Sequence, residues 1–194
     1  MVEYLRHAGY SAAVIPAMCE GSLLYPSHVT ESTPNYDNGI FFETAQDPVQ
    51  KDALELFFRL FDRAGLELIP SLQLATPLTE LEQLRLNDPA AAVGLEPIGP
   101  DGLSWLARNG SRRGQGVYYN PLDPRVQDAI RRLVQEVVER YGQHPSFAGL
   151  LLNLQPESYL LLPDEFASLD DVTIARFARE EGLSLPTLGP QRFA

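Results

Sequence analysis

The stretch from Tyr118 to Tyr159, YYNPLDPRVQDAIRRLVQEVVERYGQHPSFAGLLLNLQPESY, decides how the rest of the chain is read. It opens on Asp123-Pro124, an N-cap residue followed by proline at the first helical position, where the missing N–H removes no hydrogen bond. Val126, Ile130, Leu133, Val134, Val137, Val138 and Tyr141 then recur every three or four residues. Arg131, Arg132, Gln135, Glu136 and Glu139 fill the other side, which is the pattern of an amphipathic helix, and Gly142 ends it. After His144-Pro145 comes Phe147 to Gln155, an apolar run too short for a typical helix and too continuous for a half-exposed strand. It is expected as a buried parallel strand, at about residues 148–155.

Strand side chains alternate faces, so Asn153 and Gln155, with Glu157 just beyond, turn one face polar only near the strand's C-terminal end. A second run repeats this. In the strand expected over Leu66–Leu74, Ser71 and Gln73 alternate with Leu72 and Leu74. A third strand is expected over Ser11–Met18, followed by Glu20. The helix that precedes the second strand is expected to start at Asp47-Pro48, with an apolar stripe of Leu54, Phe57, Phe58 and Phe61 closed by Gly65. Parallel strands alternating with helices make the fold class α/β. The arrangement expected is a partial (β/α)8 barrel, with the three strands adjacent in chain order and the helices packed on them.

In such a barrel the C-terminal strand ends surround the mouth, and chemistry gathers there. Glu157 and Glu20 are therefore the catalytic candidates. Asn153, Gln155 and Gln73 are the substrate-binding candidates, joined by Tyr159 and by Trp105, an aromatic able to stack on a sugar face. The competing reading is plainer: the amides satisfy nearby backbone groups, the carboxylates lie on solvated loops, and Trp105 covers loop backbone.

The chain of 194 residues is long enough for a hydrophobic core, and 44% hydrophobic residues is an ordinary globular composition. It reads as a single incomplete barrel segment, 1–194, with a loop excursion at 76–117 that contains a short helix over Leu81–Leu86 and a turn at Gly99-Pro100-Asp101-Gly102. Val2–Ala8 reads as the last turns of a helix stopped by Gly9, and Asp170 as the cap of a final helix ending near Gly182. Roughly three strand–helix units stand where a closed barrel needs about eight, so the remaining barrel strands of a larger chain are expected as partners.

A net charge of -11, with no run rich in Lys and Arg, opposes binding to phosphate backbones, so no nucleic-acid partner is expected. No apolar run reaches membrane-spanning length and no signal peptide is visible; neither a membrane partner nor a compartment is assigned. The single cysteine, Cys19, excludes a disulfide framework and reads as a small buried apolar residue. His7, His28 and His144 lack metal-ligand spacing and read as surface or capping residues. There is no phosphate loop and no nucleophile elbow, and neither a metal nor a cofactor is expected.

Short phrases along nearly the whole chain, Tyr25-Pro26-Ser27, Tyr36-Asp37-Asn38-Gly39, Asp47-Pro48, Arg59-Leu60-Phe61-Asp62-Arg63, Tyr119-Asn120-Pro121 and Asp170 to Phe177, resemble the glycoside hydrolase family 10-like barrel proteins. That resemblance implies a glycosidase-like barrel acting on poly- or oligosaccharide. It also implies an acid/base glutamate after the fourth strand, behind an asparagine, and a nucleophile glutamate after the seventh. Here the phrase is Asn153-Leu154-Gln155-Pro156-Glu157, so either Glu157 or Gln155 occupies the acid/base position. A non-catalytic carbohydrate-binding or scaffold barrel without the carboxylate pair is the alternative.

Overall fold

The computed structural model describes residues 1–19, 22–30, 52–109, 119–156, 158–163, 167–168 and 170–184, without the side chains at 106 and 109. The elements are α1 (Val2–His7), β1 (Ala12–Cys19), β2 (Ser22–Leu23), α2 (Ala53–Ala64), β3 (Glu67–Gln73), α3 (Thr79–Asn87), α4 (Trp105–Asn109), α5 (Pro124–Tyr141), β4 (Leu151–Asn153) and α6 (Asp171–Glu180). They form two compact units, Met1–Leu74 with Arg131–Asn153, and Ala75–Ile130 with Leu154–Ala194.

The first unit is built on a sheet ordered β2-β1-β3-β4. β1, β3 and β4 are parallel neighbours, as their apolar runs suggest. β2 is a short antiparallel return on the outer side of β1, pairing Met18 with Leu23 and Cys19 with Ser22. One sheet face carries Ile15, Met18, Leu68 and Leu72, all at 9% exposure or less. Helix α2 covers it with Leu54, Phe58 and Phe61, a stripe at i, i+4 and i+7 that is wholly buried. Phe58 meets Phe147, the residue that bridges to Leu68, at 5.9 Å, and stacks on Tyr141 of α5 at 5.2 Å. The helix stops at Gly65, whose φ of 64° is left-handed backbone that glycine adopts without strain.

Two expectations shift here. Asp47-Pro48 lies outside the described residues, and α2 begins at Ala53, because Asp52 is in non-helical backbone and its carboxylate accepts the Glu55 N–H at 2.8 Å. The strand expected over 148–155 is shortened to Leu151–Asn153. Phe147 makes an isolated parallel bridge to Leu68, then Gly149, at φ 140°, interrupts the ladder before it resumes. Nor is that strand buried throughout, since β4 is the sheet's edge and Leu152 is 39% exposed.

In the second unit, Asp170 caps α6 by accepting the Thr173 N–H at 2.9 Å, as its place in the sequence suggests. The excursion holds α3, and the turn at Gly99–Gly102 closes with a 3.0 Å backbone bond and Gly102 at φ 76°. Asn120, fully buried, donates to the Gly94 carbonyl and to Thr173 Oγ1 at 3.2 and 3.0 Å, so one amide ties the 88–95 loop to α6. Among the described residues no helix is long and apolar enough to cross a membrane.

Candidate functional site

Parallel pairing places Gln73 of β3 beside Asn153 of β4, so both side chains leave the same face at the strands' C-terminal ends. The next layer down that face pairs Pro16 and Leu151 with Ser71, and below it Val14 pairs with Ile69. Simple alternation from Val14 and Pro16 would send Met18, not Cys19, to this face. A bulge between Pro16 and Met18 adds one residue to β1 and reverses the parity, so that Met18 aligns with Leu72 and Cys19 comes round to Gln73. Cys19 Sγ donates to Gln73 Oε1 at 3.1 Å. Cys19, Gln73 and Asn153 thus form a half-buried row across three neighbouring strand ends.

The row's polar groups are neutral hydrogen-bonding ones. Each amide offers a donor pair and an acceptor, which matches the mixed donor–acceptor character of hydroxyl groups, and the thiol is a weak donor that fixes one amide oxygen. The row holds no carboxylate. Glu20 and Glu157, the two residues expected to supply acid/base chemistry, lie outside the described residues.

The remaining sequence-derived candidates belong to the second unit. Gln155 is past the end of β4 and exposed, its carbonyl accepting the Ser158 N–H at 2.8 Å. Trp105 is half-buried at the start of α4, its backbone N–H bonded to the Pro97 carbonyl at 3.0 Å. It borders a crevice of about 10 Å³ with Leu103, Pro163 and Ala167, room for about one water molecule and not for a sugar ring. Tyr159 is wholly buried, edge-on to Tyr119 at 5.1 Å, and burial alone pushes its hydroxyl pKa up, so it is a neutral phenol at any ordinary pH.

Two features escaped the sequence. Cys19 was hidden by the bulge, which leaves no mark in hydrophobic periodicity. The other is a polar cluster at the opposite end of the sheet, where His144 lies between Asp62 and Glu55 of α2. Its only trace in the sequence is the spacing of Glu55 and Asp62, seven residues apart and so on one helical face. Among the described residues no group of three or more His, Cys, Asp or Glu side chains is arranged to hold a metal ion. A cleft of about 610 Å³ opens between the loop at 26–30 and the outer side of α5, bordered by His28, Arg132, Glu136 and Arg140. Glu136 there accepts from Ser27 Oγ at 2.5 Å and from the His28 N–H at 2.6 Å, so this carboxylate is already engaged by the loop.

Two solved structures similar to this chain are the β-galactosidase from the psychrophilic Marinomonas ef1 and the cold-adapted β-galactosidase from Rahnella sp. R3. The TM-scores are 0.45 and 0.44 and the identities 16% and 11%. Each likeness covers 78% of this chain, which spans only 18% of the length of either enzyme chain. No curated protein matches. The model of the glycosyl hydrolase-like 10 family matches residues 1–145, three quarters of the chain, and this makes the chain a member of that family.

Proposed function

We propose that this chain forms part of a (β/α)8 barrel whose strand-end rim binds poly- or oligosaccharide, and that Glu157 acts there as general acid in glycoside hydrolysis. Family membership supports a carbohydrate-related function. The observation that supports the reading further is the row of Cys19, Gln73 and Asn153 at three parallel strand ends, where two side-chain amides stand side by side. Glu157 follows Asn153 closely enough in sequence to border that row. A retaining mechanism needs a second carboxylate about 5–5.5 Å from the acid, and an inverting one about 6.5–9.5 Å. Glu20, next in the chain after Cys19, is the partner this proposal assigns.

Replacing Glu157 with Gln in the full-length protein is expected to lower hydrolysis by at least about 10²-fold and to leave sugar affinity nearly unchanged, the pattern for removing proton transfer alone. An unchanged rate moves the acid role elsewhere. The second reading is a carbohydrate-binding barrel without hydrolysis, and the observation favouring it is that the row itself presents amides and a thiol but no carboxylate. Under that reading the unmutated protein hydrolyses nothing across a broad glycan panel, while Asn153→Ala still weakens binding by about fivefold, the value of one lost neutral hydrogen bond.

A further inference from the structure

At the end of the sheet opposite the rim, His144 sits in the turn between α5 and β4 with both ring nitrogens engaged. Nδ1 is 2.7 Å from Asp62 Oδ2 and Nε2 is 3.0 Å from Glu55 Oε2. A neutral imidazole has one N–H, and two carboxylate partners require two, so the geometry calls for the imidazolium. The ring is 13% exposed and stacks on Phe58 at 4.9 Å, which restricts its rotation. The partners are themselves fixed. Asp62 Oδ1 accepts from the Ser146 N–H at 2.9 Å and its Oγ–H at 2.6 Å, and Glu55 Oε1 is bound by Arg59 at 2.7 Å. On the α5 side Tyr141, whose ring lies 6.5 Å from that of His144, donates its hydroxyl to Asp52 at 2.9 Å, and Arg140 lies 3.4 Å from the same carboxylate.

The cluster lies directly upstream of β4. The Ser146 carbonyl accepts the Leu68 N–H at 2.7 Å, and the Ala148 N–H donates to the Leu68 carbonyl at 3.2 Å, so the turn that His144 anchors is where the β3–β4 pairing begins. We propose that His144 is a proton-operated latch that ties α2 to the start of β4 and thereby sets how firmly the strand carrying Asn153 is held. Losing the proton leaves one ring nitrogen with a lone pair facing a carboxylate. Glu55, which keeps Arg59 and is the more exposed partner at 29%, is the one released, while Asp62 stays with Ser146. This inference does not depend on the sugar-binding reading.

The direction in pH follows from all three groups. Burial works against a charged His144, but the bonds to Asp62 and Glu55 outweigh it and raise its pKa above the ordinary 6.5. Burial likewise opposes ionisation of Glu55 and Asp62, and their partners outweigh it, holding both below their ordinary 4.5 and 3.8. A raised histidine stabilises fully below 6.5 and loses that contribution as pH rises through its folded value. The lowered carboxylates stabilise fully above their ordinary values and lose the contribution as pH falls through their folded ones. The latch is therefore closed between about pH 4.5 and 6.5, and opens in both directions.

The test is an NMR titration of the imidazole in the full 194-residue chain, together with amide exchange at Leu68 and Ala148 corrected for intrinsic rates. His144 is expected to titrate above 6.5, and protection at both amides to fall, by up to about tenfold per pH unit, between 6.5 and that midpoint and to level off above it. In His144→Gln the protection is expected to be flat over the same range. A midpoint at or below the ordinary value, or protection in the unmutated chain as flat as in the variant, overturns the proposal. Should His144→Gln fail to fold, Glu55→Gln serves instead: it must lower the His144 midpoint, and an unmoved midpoint counts against the latch.

Discussion

Tyr159 illustrates how a single atom can be read against its surroundings. Its ring is wholly buried and well packed against Tyr119, yet its hydroxyl oxygen has no hydrogen-bond partner among the described residues. Tyr119, also buried, donates its hydroxyl to Glu82 at 2.8 Å and accepts the Leu78 N–H at 2.8 Å, so the two rings differ in satisfaction and not in depth. Removing an unpaired buried hydroxyl relieves a desolvation cost and leaves the ring packing in place. Tyr159→Phe is therefore expected to stabilise by about 1 kcal/mol, and Tyr119→Phe to destabilise by about 1–3 kcal/mol, measured by denaturant titration of each variant. A stability loss in Tyr159→Phe counts against an unpaired hydroxyl. No reading of the sequence distinguishes these two tyrosines, because partners come from residues about forty positions away. Gln73 and Asn153 were legible, since alternation alone puts them at polar strand ends. Cys19 was not, because one extra residue in β1 reverses every later side chain.

Helix starts were the most legible elements, and the reason is local. An Asp side chain accepts a backbone N–H two or three residues on, so cap and helix are read within a few residues of each other, as at Asp123 and Asp170. At the start of α2 the proline-marked site at residues 47–48 drew attention, yet Asp52 is the cap, and it is held by more than its own helix. Besides the Glu55 N–H it accepts the Tyr141 hydroxyl at 2.9 Å on both carboxylate oxygens and lies 3.4 Å from Arg140. Those partners are on α5, far along the chain and invisible to a local reading. The two caps should separate accordingly. Asp170→Ala removes a cap bond and is expected to cost about 1 kcal/mol. Asp52→Ala also leaves a buried tyrosine hydroxyl without its acceptor and is expected to cost about 2–3 kcal/mol. Equal losses in urea titrations of the two variants would mean that the Tyr141 bond contributes nothing. Strand β4 was overestimated for a similar reason: an apolar run does not reveal that Gly149 turns away from the ladder.

At the scale of the whole molecule, the order of the three parallel strands was legible because each is an apolar run between helix signals. What covers them was not, since burial depends on neighbours the run does not name. Val14 of β1 is 51% exposed although it lies mid-strand, and its side chain shares a face with Ile69 and, one layer on, with Ser71 and Leu151. The opposite face is closed by α2. If the chain is part of a barrel, the Val14 layer belongs to the interior and is covered by side chains from strands not among these four. A near-isosteric polar substitution then has two different costs. In the 194-residue chain alone, Val14→Thr places a hydroxyl in water and is expected to change stability by no more than about 0.5 kcal/mol. In a longer protein that completes the barrel, the same hydroxyl is buried among aliphatic side chains with no acceptor, and the expected loss is about 1–3 kcal/mol. Urea titrations of both forms, each against its own Val14 parent, decide the matter. A loss that stays within about 0.5 kcal/mol in the longer protein would show that this face remains open there, and the partial-barrel proposal would fall with it.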